Sequence, residues 1–332
     1  MCSLEVWNEH EISNSKHKHF NIFLNTKNLI ALNIEFANLS ILQSVTAIVL
    51  GNFDGCHLGH RALFEALKTQ AQKNNTQPLA ISFEPHTRHI IQEPGHPELL
   101  TPNEEKKELI ENFGVPLVLQ KFDKDLFAVP FRSFVNDFAI QKYGTKIWVL
   151  GLDQRFGRGG KGSAETLRAF FPDLLIHEIN PVLFENEAIS SSRIREALKK
   201  GDIAQANAML GRNYFISGIV VHGLGQGKLL GSPTANLQLP DHKLLPKNGV
   251  YFGTASFDNQ KHKAVINIGN RPSLGSRPVG LEAHLLNFDG DLYDKKLSVE
   301  LAGRIRDEIK FDNLDALKEQ IKKDIAFCNS CK

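Results

Sequence analysis

At 332 residues the chain exceeds what one hydrophobic core ordinarily supports, since single cores stop growing at roughly 250–300 residues, so two domains are expected. Its 42% apolar and 23% charged residues are those of a folded globular protein and exclude an extensively disordered chain. With 39 basic and 37 acidic side chains the formal charge is +2, a field too small to call for nucleic acid or an anionic membrane as partner.

Residues 1–46 read as a partly irregular N-terminal extension: His10, His17 and His19 among asparagines and lysines fit a solvated tail better than a metal site of fixed geometry. The first twenty residues lack the basic-then-apolar order of a secretory signal. No stretch reaches the roughly 20 apolar residues of a membrane span, so a cytoplasmic location is expected. Cys2, Cys56, Cys328 and Cys331 are too few and scattered to staple a fold of this size and are expected to be reduced. The last two form a lone CxxC without the second close pair a structural zinc needs.

The run AIVLG at 47–51 is apolar, ends in glycine and leads into the helical pattern HRALFEALKTQAQK, which predicts a strand, a loop and a helix. PLAISFEP predicts a second buried strand. TPNEEKKELIENFG predicts a helix capped by Thr101, with early acidic residues and a terminal glycine, and VPLVLQKF a third strand. After the helical FRSFVNDFAIQKYG, KIWVLGLD predicts a fourth strand running into the glycine-rich RFGRGGKG. Such alternation predicts an α/β domain over 47–200, its parallel sheet covered on both faces and its ligands at the carboxyl ends of the strands.

Where the first strand turns into its helix, the sequence reads Gly51, Asn52, Phe53, Asp54, Gly55, Cys56, His57, Leu58, Gly59, His60. Glycines let backbone approach a ligand, and a helix start offers free N–H groups and a positive dipole to phosphate oxygens. Two histidines three apart share a helical face and add donors. Such a site suits stabilisation of charge on an α-phosphate as pyrophosphate leaves, where one well-aimed donor is worth roughly 3 kcal/mol. The plainer reading is that His57 and His60 cap a helix. SFEPHTR at 82–88 and ISSSRIR at 189–195 add hydroxyls and guanidinium groups; the second places them at a helix start, where ordinary capping would require only one serine.

From Tyr214 the pattern changes. YFISGIVVHG, PTANLQL, GVYFGTASF, KAVINIG, LEAHLLNF and KLSVELAG are short β-rich segments between glycine, proline or asparagine turns, predicting a small closed all-β barrel over 201–332, with LDALKEQIKKDIAFC as an amphipathic helix outside it. Thr234 and Asn236, two apart, project to one face of a strand and offer hard oxygen ligands suited to Mg²⁺ carried on ATP, while Lys228 and backbone N–H groups could meet phosphate; PTAN could equally be only a turn. Glu282 is an acid inside an otherwise apolar segment, costly unless paired or used. A general base and a salt bridge to Arg271 or a lysine stand about even.

GNFDGCHLGH, SFEPHTR, GLDQRFGRGGKGS and ISSSRIR in the first half, and LGRNYFISGIVVHG, LGSPTANL, LPKNGVYFG, INIGNRPSLG, LEAHLLNFDGDLYD and RIRDEIKFDNLDALKEQIKKD in the second, resemble the bifunctional bacterial riboflavin kinase/FAD synthetase family, from about Ile48 to Phe327. The resemblance implies a Rossmann-like nucleotidyltransferase domain at 47–200, where FMN attacks the α-phosphate of ATP. His57 and His60 would act on the phosphates, and Asn52, Phe53, Asp54, Gly55, Gly59, Ser190, Ser191 and Arg193 would line the nucleotide site. It also implies a six-stranded Greek-key riboflavin kinase barrel at 201–332. There Glu282 would deprotonate the riboflavin 5′-hydroxyl, Thr234 and Asn236 would hold Mg²⁺, and Lys228, Gly231 and Pro233 would sit at ATP. ATP, riboflavin and FMN are the substrates implied, with no nucleic-acid or membrane partner and a monomer or weak homo-oligomer.

The chain departs from the family pattern at Ser232, where phenylalanine is usual, at Gln154, where an aromatic is, at Ser192 and Ser273, which replace threonine, and near Gln226 and Lys228, where more basic residues are. An FMN adenylyltransferase with an impaired kinase is the alternative this implies. Two rivals stand beside it. One is a nucleotidyltransferase for another phosphorylated substrate with a barrel used only for association, which PTAN and Glu282 oppose. The other is a barrel that binds single-stranded nucleic acid or flavin without catalysis, which the absence of a concentrated basic stripe opposes.

Overall fold

Thr46–Leu50 form β1, a strand with every residue buried, and the α/β half is assembled around it. The computed structural model describes residues 45–91, 98–223, 232–270 and 279–331. Strands β2 (Gln77–Glu84), β3 (Leu117–Lys121), β4 (Thr145–Gly151) and β5 (Leu175–Ile179) complete a parallel sheet in the order β3-β2-β1-β4-β5. The chain order therefore reverses between β1 and β4, and the crevice beyond their carboxyl ends is where such a sheet receives ligands. β5 has no counterpart among the expected strands, because LIHEI mixes polar and apolar residues at the edge of the sheet.

Helix α1 (Leu58–Lys73) buries Phe64, Leu67 and Ala71, a helical spacing, against the sheet residues Ala47, Val49, Ala80, Ile147 and Val149. Helix α2 (Asn103–Asn112) begins two residues after the expected threonine cap. Pro102 occupies the cap position, and the Thr101 hydroxyl accepts instead from the Gly55 N–H at 2.9 Å. Phe134–Lys142 wind as a π-helix that stacks Phe134 on Phe138 beside Trp148 and Phe156. Helix α3 (Ala164–Phe170) starts at the Ser163 capping box.

Helices α4 (Ser191–Lys200) and α5 (Ile203–Leu210) follow, each closed by a left-handed glycine, Gly201 and Gly211. ISSSRIR is thus mostly the first turn of α4 rather than its approach. Ile194, Leu198, Ile203, Met209 and Leu210 face the same core as the barrel interior.

The barrel is closed and antiparallel, in the order β8-β9-β10-β7-β6-β11, formed by β6 (Tyr214–Val221), β7 (Ala235–Gln238), β8 (Gly249–Phe257), β9 (Gln260–Asn270), β10 (Val279–Leu285) and β11 (Lys296–Arg306). These are the six expected strands. Ile216, Tyr251, Ile266, Leu281, Ala283 and Val299 point inward and are fully or almost fully buried. Outside the barrel, helix α6 (Leu314–Ser330) is capped by Asn313 and fastened by Asp324, whose carboxylate takes Nε and Nη2 of Arg306 at 2.7–3.2 Å. Cys328 is buried beneath α6 with its thiol near the Ala264 carbonyl.

The two halves are joined by backbone as well as side chains. Leu99 pairs with Lys243, its N–H donating to the His242 carbonyl at 2.6 Å and its carbonyl accepting from the Leu244 N–H at 2.8 Å.

Candidate active sites

Between β1 and α1 the loop passes through left-handed backbone at Phe53 (φ 47°), Gly55 (φ 87°) and Cys56 (φ 39°), conformations that need external restraint in residues other than glycine. The restraints are visible. Asp54, 1% exposed, accepts from the Thr101 N–H at 2.9 Å and the Leu100 N–H at 3.2 Å, and it pairs with Arg195. Ser191 donates to the Asp54 carbonyl at 2.7 Å. The Asn52 side chain grips Thr87, donating to its hydroxyl at 2.8 Å and accepting from its N–H at 3.2 Å, which ties PHTR to the loop.

His57 stands at the N-cap of α1 but makes no side-chain capping bond, so capping does not explain it. Its ring stacks on His60 at 3.6 Å and 19°, with Phe53 edge-on to His60 at 5.4 Å. A side chain at Gly59 would meet the His57 ring at 3.1 Å; glycine there leaves the ring its place. The Nδ1 atoms of both histidines are buried without a hydrogen-bond partner among the described residues. Burial pushes His57 down to about 4, helped by Arg212 and opposed by Asp54. His60 lies well below its ordinary value through burial and through the neighbouring His57, Lys106 and Arg212. Both imidazoles are therefore neutral near pH 7.

His60 borders two cavities, and His57 lines one of them. One, about 460 Å³, is lined by His57, His60, Arg88, Gln154 and Ser190–Ser192 at the start of α4. The other, about 640 Å³, runs from Asn52 and His60 past Phe53, Phe83, Phe122, Phe127, Phe134 and Phe156. Ser190 caps α4 by accepting from the Arg193 N–H at 3.3 Å. The Arg193 guanidinium is directed to the carbonyls of Phe184, Glu187 and Ala188, and so holds the short Leu183–Ala188 hairpin beside the site. Gln154 donates to the Leu50 carbonyl at 2.7 Å.

In the barrel, Glu282 on β10 lies opposite Asn236 of β7 and Asn267 of β9. Its neighbours Leu281 and Ala283 are fully buried inside, so Glu282 faces the outer surface rather than the core. That corrects the expectation of an acid in apolar surroundings; strand alternation alone explains its position. Thr234 Oγ1 lies 3.5 Å from Glu282 Oε2, and His284 is 2.8 Å from the Pro233 carbonyl. Asn236 is buried with its amide under Gly223, where a Cβ would be only 2.3 Å away.

Thr234 borders two cavities. One, about 390 Å³, runs between Glu282, Asn267 and α6. The second, about 350 Å³, includes Pro233, Phe288, Asp291 and Tyr293. Lys228, Gly231 and Arg271 lie outside the described residues.

The residues that reasoning from sequence passed over are Lys106 and Arg212. Each is polar in a segment whose local pattern predicts only a helix or a turn, and each acts through a partner distant in sequence.

A family model described as FAD synthetase matches residues 40–193, and one described as riboflavin kinase matches residues 210–331. A bifunctional riboflavin kinase/FMN adenylyltransferase of Buchnera aphidicola from Schizaphis graminum is 37% identical over 87% of this chain and 94% of its own length. The chain belongs to the bifunctional riboflavin kinase/FMN adenylyltransferase family. The relative of that name in Bacillus subtilis is 34% identical over 85% of this chain and 91% of its own. A solved structure from Streptococcus pneumoniae, described as a macrolide-efflux protein, covers 89% of this chain and 97% of its own at TM-score 0.81 and 30% identity. Among the described residues of this family member, no helix is long and apolar enough to cross a membrane.

Proposed function

We propose that the protein makes FAD from riboflavin in two ATP-dependent steps, riboflavin phosphorylation at the barrel and FMN adenylylation at the α/β half, with the domain boundary near residue 200. The observation that carries this is the pairing of cavities. In each half, two cavities of different chemistry share a polar side chain: His60, stacked on His57, in one, and Thr234, beside Glu282, in the other.

In the α/β half, the phenylalanine-lined cavity suits a flat flavin ring, and the serine-rich cavity at the start of α4 suits polyphosphate. His57 and His60 lie where the FMN phosphate and the α-phosphate would meet. Their N–H groups would stabilise charge as the FMN phosphate oxygen bonds to the α-phosphorus and pyrophosphate leaves. Asp54, Asn52 and Arg193 contribute by holding the loop, PHTR and the hairpin.

In the barrel, Glu282 would take the proton of the riboflavin 5′-hydroxyl as that oxygen attacks the γ-phosphorus and ADP leaves. The Thr234 hydroxyl, just before β7, and the Asn236 amide on it are hard oxygen donors beside Glu282, a set that fits Mg²⁺. Thr234 and Asn236 are the residues proposed to hold it, and when bound it would neutralise phosphate charge. Pro233, which lines the cavity of about 350 Å³, is proposed to sit at ATP together with Lys228 and Gly231. The small-molecule partners are ATP, riboflavin and FMN, in a cytoplasmic monomer or weak homo-oligomer.

The test is to incubate the purified chain with riboflavin, ATP and Mg²⁺ and to separate flavins over time. FMN followed by FAD supports two working sites. FAD from supplied FMN but never from riboflavin would mean a disabled kinase, and no flavin product would overturn the proposal.

A further inference from the structure

Arg212 lies in the stretch matched by the riboflavin kinase model, yet its side chain reaches the histidine loop of the other half. Its Nη2 donates to the Gly55 carbonyl at 2.9 Å, while its Nε is buried without a hydrogen-bond partner among the described residues. Lys106 approaches the same loop from α2. Only 2% exposed, its ammonium donates to two neutral oxygens, Ser82 Oγ and Asn103 Oδ1, both at 3.3 Å. Ser82 in turn donates to the Asn52 carbonyl at 3.2 Å. One cation fastens the loop at Gly55; the other fastens it through Ser82 at Asn52.

We infer that Arg212 and Lys106 are positioning residues for adenylyl transfer, with Arg212 supplied to the adenylyltransferase loop by the kinase half. The inference rests on the assignment of that loop to adenylyl transfer. Two physical reasons support it. A loop with three left-handed residues holds its shape only through restraints from outside, and the Gly55 peptide is tied on both sides, by Thr101 at its N–H and by Arg212 at its carbonyl. The charges behind the loop also set its field. His60 faces His57, Lys106 and Arg212, all disfavouring its protonation, while Asp54 acts on His57 in the opposite sense. Burial is the main reason the imidazoles stay neutral; Arg212 adds to it at both and Lys106 at His60, and the two buried cations present positive potential to incoming phosphates without touching them.

The test compares Arg212→Met, Arg212→Lys and Lys106→Met in the full chain, with riboflavin phosphorylation as an internal measure of folding. Arg212→Met should lower kcat/KM for FMN adenylylation by about tenfold to a hundredfold, the scale of a misplaced reacting group. It should also move the acid-side transition of the pH profile upward, because His60 loses a neighbouring positive charge, and leave phosphorylation unchanged. Arg212→Lys should return the transition toward its original pH. A folded Arg212→Met with unaltered adenylylation, or with an unmoved transition, overturns the inference. If Arg212→Met loses both activities, Lys106→Met decides: an upward shift supports the inference and an unmoved transition overturns it. His57→Ala, run alongside, separates the two levels. Its retaining adenylylation would remove the site assignment itself, whereas its loss beside a fully active Arg212→Met would remove only the positioning role.

Discussion

Glu105 and Lys243, 138 residues apart, form an ion pair at 2.5 Å across the junction of the α/β half and the barrel, with side chains 4% and 0% exposed. The second Glu105 oxygen accepts from the Ser217 N–H of β6 at 3.1 Å, and Lys243 also donates to the Leu100 carbonyl at 2.8 Å. Removing one partner leaves a buried charge uncompensated, so Glu105→Gln or Lys243→Met should cost about 3–5 kcal/mol of stability in urea unfolding. The double replacement Glu105→Leu with Lys243→Met should recover part of this. Recovery stays incomplete because the Ser217 N–H and the Leu100 carbonyl lose their partners.

Stability should fall as pH is lowered from about 6.5 to about 4. His57 and His86 both have values lowered to about 4, chiefly by burial, from an ordinary 6.5. Within that window the unfolded chain binds protons that the folded chain refuses, so stability rises with pH there and levels off outside it. Each imidazole accounts for about 3 kcal/mol at most, and the urea midpoint measured against pH checks the slope.

His57→Ala should abolish FMN adenylylation while sparing riboflavin phosphorylation, and Glu282→Ala should do the reverse. Flavin chromatography with FMN or riboflavin as the starting substrate reads both. Equal loss of both activities in folded variants would sink the assignment of two sites.

Gly59→Ala places a methyl group 3.1 Å from the His57 ring and should push the ring off its stack with His60. Adenylylation should fall by about tenfold or more, since a small displacement of a catalytic group carries a large rate cost. Phosphorylation, measured on the same preparation, should not change.

Much of this was legible in the sequence where local pattern decides structure. AIVLG followed by a 3.6-residue periodicity announced β1 and α1, and six alternating β-rich segments announced the barrel. What was hidden depends on partners far along the chain. Thr101 looks like a helix cap because a hydroxyl before an acidic turn usually is one; nothing local reveals that it serves Gly55. Arg212 and Lys106 read as ordinary polar residues for the same reason. Glu282 was a different kind of miss: the alternation Leu281, Glu282, Ala283, His284 already places the acid outward, and the signal was present but outweighed by the apolar composition around it.

The outward placement of Glu282, with Thr234 beside it, separates two demands that many enzymes must satisfy with one set of residues. The barrel's filling, Leu281, Ala283 and Ile266 among it, carries none of the proposed chemistry. Mutational drift inside the barrel can therefore alter how firmly the domain holds together while the reacting groups keep their spacing, provided that the strands keep their register.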